Sequence, residues 1–440
     1  MPPLTIFLTT WNTGLQGSKA QPQDLTSWLL PILHQTANDP SASRVVPDLY
    51  VIGVQELLPL ELALGGFTHS ALRALTDRIQ HILTSHAKTL SDDEAEEYFL
   101  VERVSHVGVA MWVFARESTL SGKLGKSLKA TLGLWWGGMG NKGAVGIRLP
   151  VRRGDEGSWE TMTFVCAHLE AHDHNISRRN QQYQNILSCL IFRPSDRLEV
   201  PKQIHQTSHL FVLGDLNYRL ERIPSTGWPR EGEDDEDALE LEKERAAMIQ
   251  LDTLRKEQKA GRVFGGLREP DLSGFAPTYK RVVGKVEGYS NKRIPGWTDR
   301  ILFASHTDPL SLYSSQYTVE STPVPEYTTQ IAHFNATSSL TLSDHKPVHA
   351  ILILPHASHS APAPHLAPEL PETPPPHPPR PAPTPHLVVL IWKALGTTLD
   401  RAIGWPWFVL SLGTGSLPMG GAGLFTLVAM VWGVYSYSGQ

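Results

Sequence analysis

Leu213-Gly214-Asp215-Leu216-Asn217-Tyr218-Arg219 closes an apolar run, Leu210-Phe211-Val212-Leu213, with a glycine, a carboxylate and a carboxamide. The run reads as a buried strand. Residues i and i+2 of a strand share a face, so Asp215 and Asn217 are expected to aim into one cavity while Leu216 anchors in the core. A hydrolase needs that pairing: a carboxylate to accept a proton from water, and an amide to hold an oxygen in line. Gly-Asp-x-Asn is also a common turn at strand ends, so the rest of the chain must decide between the two.

Working outward, other strand ends carry similar groups. Leu4 to Asn12 is β-rich and ends at Asn12, with Gly14 as the turn. Asp48 to Glu56 is a continuous apolar run ending in Gln55-Glu56, where Glu56 is either an oxygen ligand for a hard cation or a solvated strand-end acid. Thr163 to Leu169 carries His168 at its end, followed by His172-Asp173-His174; ligand spacing for zinc is not completed by a second His/Cys group. Gly140-Asn141-Lys142-Gly143 places a lysine and backbone amides at the mouth of the strand Ala144 to Leu149. Ser343-Asp344-His345-Lys346 precedes a final strand, His349 to Leu354, and an Asp-His pair there can orient an imidazole and raise its pKa.

Composition bounds the partners. The 440-residue chain has a formal net charge of −5, so a polyanion site has to be built from local lysines. They cluster at Lys280, Arg281, Lys285, Lys292 and Arg293. The two cysteines, Cys166 and Cys189, are too few for a disulfide framework and fit a reducing compartment. Cys166 does not begin a Cys-x5-Arg phosphate loop, because His172 stands where the arginine would be. The N-terminus lacks the basic region and cleavage site of a signal peptide.

Periodicity predicts helices over residues 69–90 and 177–190, the second carrying Arg178, Arg179 and Asn180 at its start, and a hairpin from Tyr98–Val104 and Val107–Phe114. Leu134-Trp135-Trp136, after a lysine-dotted stretch, suits either a membrane surface or a packed hairpin tip. The acidic stretch 231–244 reads as a solvated insertion. Residues 355–386 are proline-dense and predict an extended linker with a reach on the order of 100 Å at about 3.1 Å per residue. Within it Pro375-Pro376-His377-Pro378-Pro379-Arg380 matches a Pro-x-x-Pro-x-Arg ligand of SH3 domains. Beyond Arg401 no charged residue occurs up to Gln440. As a helix, residues 420–437 would span roughly 27 Å, the hydrocarbon thickness of a thin bilayer such as the endoplasmic reticulum, with Trp432, Tyr435 and Tyr437 at one interface. A tail anchor is expected there, and 403–417 is a candidate second insertion or interfacial segment.

Taken together the motifs resemble the inositol polyphosphate 5-phosphatases of the endonuclease/exonuclease/phosphatase superfamily. The resemblance is carried by TWNTG from Thr10, DLYVIGVQE from Asp48, GNKGAVGIR from Gly140, FVCAHLEAH from Phe164, RRN from Arg178, GDLNYRL from Gly214, PTYK from Pro277, KRIPGWTDRIL from Lys292 and SDHKPV from Ser343. It implies an α/β fold of two packed mixed β-sheets flanked by helices, the DNase I-like four-layer sandwich, over residues 1–354. Residues 355–386 then form a linker and 387–440 a membrane-associated segment. It further implies one Mg²⁺ held near Glu56, Asn12 and Asp344. Asp215 would deprotonate water and Asn217 orient it, with His345, braced by Asp299, and His168 at the scissile phosphate. Neighbouring phosphates would be gripped by Asn141, Lys142, Arg179, Asn180, Tyr279, Lys280, Lys292 and Arg293, and acyl chains met by Leu134, Trp135 and Trp136. Leu213 before the glycine and Glu170 in HLEAH depart from the common pattern without removing a catalytic group.

The layout is similar to that of fungal tail-anchored members of the family that act on phosphatidylinositol 4,5-bisphosphate at the endoplasmic reticulum, with the catalytic domain in the cytosol. Two other readings stay open: a phosphodiesterase or nuclease of the same superfamily, disfavoured by charge and by the PTYK and KRIPGWTDRIL motifs, and an inert membrane adaptor working through the proline-rich linker. No nucleic-acid partner is expected.

Overall fold

The computed structural model describes residues 3–16, 27–39, 45–90, 96–153, 159–194, 196, 200–225, 227–230, 238–309, 327–355, 367–372 and 377–411. Eleven strands among them form two sheets. The first runs β10-β11-β1-β2-β4-β3, from β1 (Leu4–Asn12), β2 (Leu49–Gln55), β3 (Tyr98–His106), β4 (Val109–Arg116), β10 (Gln330–Ala336) and β11 (Val348–Leu354). The second runs β5-β6-β7-β8-β9, from β5 (Leu128–Gly133), β6 (Gly143–Arg152), β7 (Trp159–His168), β8 (His209–Asp215) and β9 (Asp299–Ser305).

The sheets pack face to face because each central strand is apolar on the facing side: Leu8, Val51, Met111 and Leu352 of one meet Val145, Phe164, Phe211 and Ile301 of the other in one buried cluster. Gly53 marks a close approach. A Cβ there would lie 2.8 Å from Leu213 Cδ1 and 2.9 Å from Cys166 Sγ. Burial pushes the Cys166 thiol up to about 12, so it is a packing residue without nucleophilic character.

Outer faces are covered by helices at the predicted places. Thr68–Leu90 lays Leu72, Leu75, Ile79 and Leu83 against Trp112 and Phe114, and Ile176–Cys189 lays Tyr183, Ile186 and Leu187 on the other sheet. β1–β2 and β7–β8 are parallel, and their C-terminal ends meet at one rim of the sandwich. Every strand-end group noted above lies at or just beyond that rim.

Of the extended linker expected over 355–386, residues 356–366 and 373–376 lie outside the described residues. Where it is described, its backbone is tied to the domain: Leu370 N–H donates to Thr207 O (2.8 Å), Ser208 Oγ donates to Pro368 O (2.6 Å) and Gln203 Nε2 to Pro381 O (3.0 Å). Leu370 is buried beside Ile204 and Leu210. Arg380 of the SH3-type motif bonds back to Pro371 O (2.6 Å), so the described part of that motif is folded onto the domain. Proline removes donors but leaves carbonyls, and these carbonyls are what the domain edge engages.

One helix, His386–Ser411, follows and packs on the domain. Residues 403–411 of the expected second insertion are its last turns. The expected tail anchor at 420–437 lies outside the described residues, and among the described residues no helix is long and apolar enough to cross a membrane.

Candidate active site

Strand register builds the centre of the site. His168 is the Cα partner of Asp215, and Asp215 of Asp299, so three chemistry-bearing residues stand in a row across β7, β8 and β9. Gly214 makes this row possible: its φ is +139°, and a Cβ would sit 2.0 Å from Ala167 O.

Asp215 Oδ2 is the focus. It accepts from Asn12 Nδ2 (3.0 Å) and Asn217 Nδ2 (3.1 Å), with His168 Nε2 at 3.3 Å and His345 Nε2 at 3.9 Å, while Oδ1 accepts from Asn217 N–H (3.0 Å). Burial opposes its ionisation, but His345 and His168 more than offset this and hold the carboxyl below the ordinary range. Asn217 lies beside Asp215, but not through the strand alternation expected to aim both into one cavity. β8 ends at Asp215, and Asn217 turns back in a left-handed conformation (φ 58°), which asparagine tolerates better than most residues.

His345 lies on the opposite sheet, in the loop before β11. Trp11 Nε1 donates to its carbonyl (3.1 Å), and its N–H donates to Ser343 Oγ, which in turn donates to Asn12 O. The ring directs Nδ1–H at Asp299 Oδ2 (2.9 Å), leaving Nε2 to face Asp215. Burial disfavours the imidazolium, yet the Asp299 and Asp215 carboxylates outweigh it and raise the pKa to about 9. Thr278 and Thr298 hydroxyls also donate to Asp299 Oδ2 (2.7 and 3.0 Å), fixing the brace.

Lys142 Nζ lies 2.6 Å from His168 Nε2. Its burial lowers the ammonium pKa, against the pull of Glu56, Asp215 and Glu170. Asn141 precedes it on the turn. Tyr279 packs on the His345 ring at 4.6 Å. Lys280, Lys292 and Arg293 line a cleft of about 650 Å³ together with Arg281, Ser290 and Asp344. Trp136 is 70% exposed and Trp135 half-exposed, while Leu134 is buried beneath them.

Three expectations are revised. Arg179 is fully buried and donates to the carbonyls of Glu170 (3.0 Å) and His172 (2.7 Å); it pins the loop after β7. Asn180 is held between Glu257 and the Tyr218 hydroxyl. Neither projects into the cleft, because the helix N-terminus that carries them faces the loop carbonyls. Asp344 Oδ2 is paired with Lys280 Nζ at 2.5 Å, so its charge is matched by an ammonium. Two residues escaped the sequence reading. Arg219 bonds Asp173 (2.6 Å) and Asn217 Oδ1 (3.2 Å) and lies over the Tyr279 ring (4.6 Å). Its place two residues after Asn217 was the available signal. Thr278 sits inside the quoted PTYK motif.

For a cation, oxygen-bearing side chains stand where β1 and β2 end. Asn12 pairs with Gln55, and Glu56 follows directly, left-handed at φ 54° and half-buried. A carboxylate beside a carboxamide and the Asp215 carboxylate fits a hard divalent ion. Asp215, Asp299 and His345 also approach within 4.8 Å of one another, but His345 Nδ1 is engaged with Asp299 and its ring favours the proton, a poor ligand for such an ion. Glu160, His209 and His306 group at the far rim, where Arg153 already neutralises Glu160 at 3.0 Å. Among the described residues, His172-Asp173-His174 forms no such group.

A two-sheet sandwich with a carboxylate, carboxamides and a braced imidazole at one rim is the arrangement of the endonuclease/exonuclease/phosphatase class. The family model "Endonuclease/Exonuclease/phosphatase family 2" matches residues 9–351, and the chain belongs to that family. It is similar to phosphatidylinositol 3,4,5-trisphosphate 5-phosphatase 1 of Mus musculus, 30% identical over 365 residues, covering 79% of this chain and 25% of the relative. Type IV inositol polyphosphate 5-phosphatase 9 of Arabidopsis thaliana is 27% identical over 368 residues, covering 79% of this chain and 76% of the relative. Among solved structures, the inositol polyphosphate 5-phosphatase domain of SPsynaptojanin, in complex with inositol (1,4)-bisphosphate and a calcium ion, matches with a TM-score of 0.55 at 25% identity, over 80% of this chain and 84% of that one. The chain spans about a quarter of the length of the first of these relatives.

Proposed function

We propose that the protein is a Mg²⁺-dependent phosphatase that removes the 5-phosphate of phosphoinositides, converting phosphatidylinositol 4,5-bisphosphate to phosphatidylinositol 4-phosphate. The observation that carries the reading is the Asp215 carboxylate, ringed by Asn12, Asn217, His168 and His345, beside a lysine- and arginine-lined cleft. Water attacks phosphorus as the phosphorus–oxygen bond to the ring breaks; the water's proton passes to Asp215 Oδ2, and the departing ring oxygen takes a proton from solvent and leaves as a hydroxyl. Asn217, held by Arg219 and Leu169 O, orients that water. The His345 imidazolium donates from Nε2 to a phosphoryl oxygen, and Lys142 adds positive charge beside His168. Glu56 and Asn12 would hold the cation, which when bound offsets charge on the phosphoryl group.

Lys280, Lys292 and Arg293 grip the neighbouring phosphates, and Trp135 and Trp136 meet the acyl region. Residues 420–437 anchor the chain in the endoplasmic-reticulum membrane with the catalytic domain in the cytosol. A phosphate-release panel of soluble inositol phosphates and each phosphoinositide, with and without Mg²⁺, tests the reading. Mg²⁺-dependent release from 5-phosphorylated lipids is expected, abolished by Asp215→Asn. Degradation of DNA faster than any inositide, or no release at all, would overturn it.

A further inference from the structure

The helix His386–Ser411 is packed with the reverse of the usual amphipathic arrangement. Its buried residues are Gly396, Asp400, Gly404 and Ser411. The first three recur every four residues and so form one edge of the helix. That edge lies on glycines of the domain: a Cβ on Gly396 would be 2.0 Å from Gly138 O, and one on Gly404 would be 2.4 Å from Gly65 N. Asp400 accepts from Gly140 N–H with both oxygens (3.2 and 3.1 Å), Arg401 donates to Leu64 O (2.9 Å), and Phe67 packs on Trp405 and Phe408. The contact is thus close, polar and specific.

Most of the large apolar side chains are left uncovered: Leu390, Ile391, Trp392, Leu395 and Ile403 are 44 to 56% exposed. The backbone of Trp392 touches Gly138, two residues from the exposed Trp136, so the helix face continues the tryptophan loop. A water-facing helix with this pattern leaves a broad apolar patch uncovered.

We propose that His386–Ser411 lies in the plane of a lipid bilayer surface, clamped by its small-residue edge to the Gly137–Lys142 loop, so that the catalytic rim is held in one pose over the membrane. The inference rests on the lipid-phosphatase reading and adds a second membrane element to it. The occupant is a bilayer because the outward chains are aliphatic and tryptophan, the form of an interfacial helix, and because residues 402–440, its last turns and the chain beyond them, carry no charged side chain. It also continues the Trp135–Trp136 surface that the proposed activity already directs at acyl chains. Asp400 links the helix to the loop that presents Lys142 to His168, two residues beyond Gly140.

The test uses the full chain reconstituted with phosphatidylcholine–phosphatidylserine vesicles. Brominated phosphatidylcholine should quench the part of the tryptophan emission that is lost in Trp392→Phe. A Leu390→Glu/Ile391→Glu/Leu395→Glu variant, altered only at exposed positions, should lose about tenfold or more in turnover of phosphatidylinositol 4,5-bisphosphate in vesicles, and stay within twofold of wild type on soluble inositol 1,4,5-trisphosphate. No quenching of Trp392 together with unchanged vesicle turnover would overturn the proposal. So would a dimer in lipid-free detergent solution that the triple variant converts to monomer, since the face would then belong to a second copy. Quenching without hydrolysis of either substrate would support the helix placement and refute the phosphatase reading separately.

Discussion

Asp299→Asn isolates the charge that holds His345 protonated. The asparagine side chain is nearly isosteric, and its carbonyl oxygen in the place of Oδ2 can still accept from His345 Nδ1–H and from the Thr278 and Thr298 hydroxyls, all three of which now bond that oxygen. The ring should therefore keep its place while losing its carboxylate partner. The rise of His345 from 6.5 to about 9 corresponds to about 3 kcal/mol in favour of imidazolium. Burial acts against that form, and Asp299 is the leading charge that outweighs it, so the variant's pKa should return to about 6.5 or below. At pH 7.5 the imidazolium share then falls from nearly all to about a tenth. Phosphate release from a soluble inositol phosphate should drop roughly tenfold in kcat/KM at that pH and recover as pH is lowered through 6, because the active form is the protonated one. A variant whose profile from pH 6 to 9 follows wild type within twofold would refute the argument, since His345 would then work without its charge.

Asp215→Asn places an amide where three N–H groups donate to the carboxylate, and release should fall at least about a thousandfold, with circular dichroism confirming the fold. Arg219→Lys loses the planar stack on Tyr279 and the simultaneous bonds to Asp173 and Asn217; kcat should fall about tenfold, with a smaller change in KM, in steady-state kinetics. Chelation with EDTA should abolish turnover and Mg²⁺ restore it, and Glu56→Gln should raise the Mg²⁺ concentration needed for half-maximal rate by tenfold or more, by metal titration. Gly214→Ala sets a Cβ against Ala167 O at a left-handed φ and should cost about 3 kcal/mol or more, read as a lowered midpoint in urea.

The site was legible where strand ends carry it. Asp215, His168 and Asp299 terminate or begin apolar runs whose boundaries are sharp in sequence, and register alone then aligns them. His345 was legible from its aspartate neighbour, and its brace by Asp299 on the other sheet came from the family resemblance alone, since no local pattern encodes a contact across 46 residues. Arg179 misled because a buried arginine and a ligand-binding one look identical in sequence, and the carbonyls that claim it become visible only when the loop after β7 folds back. The docking of the described part of the proline-rich stretch was illegible for a related reason: composition reports that it has few donors, and says nothing of a domain edge ready to donate to it. For His386–Ser411 the sequence reading gave only a membrane-associated segment, 387–440, and no helix at that place. Which edge that helix would bury depended on glycines more than 250 residues earlier.

The row His168–Asp215–Asp299 rides on hydrogen-bonded neighbours inside one sheet, whereas Lys280, Lys292 and Arg293 stand on the connection between β8 and β9. That connection also carries Asn217, Arg219 and Thr278, so in the proposed function only charge swaps at the cleft-lining positions Lys280, Lys292 and Arg293 would retune which headgroup is admitted while the ladder row stays in place.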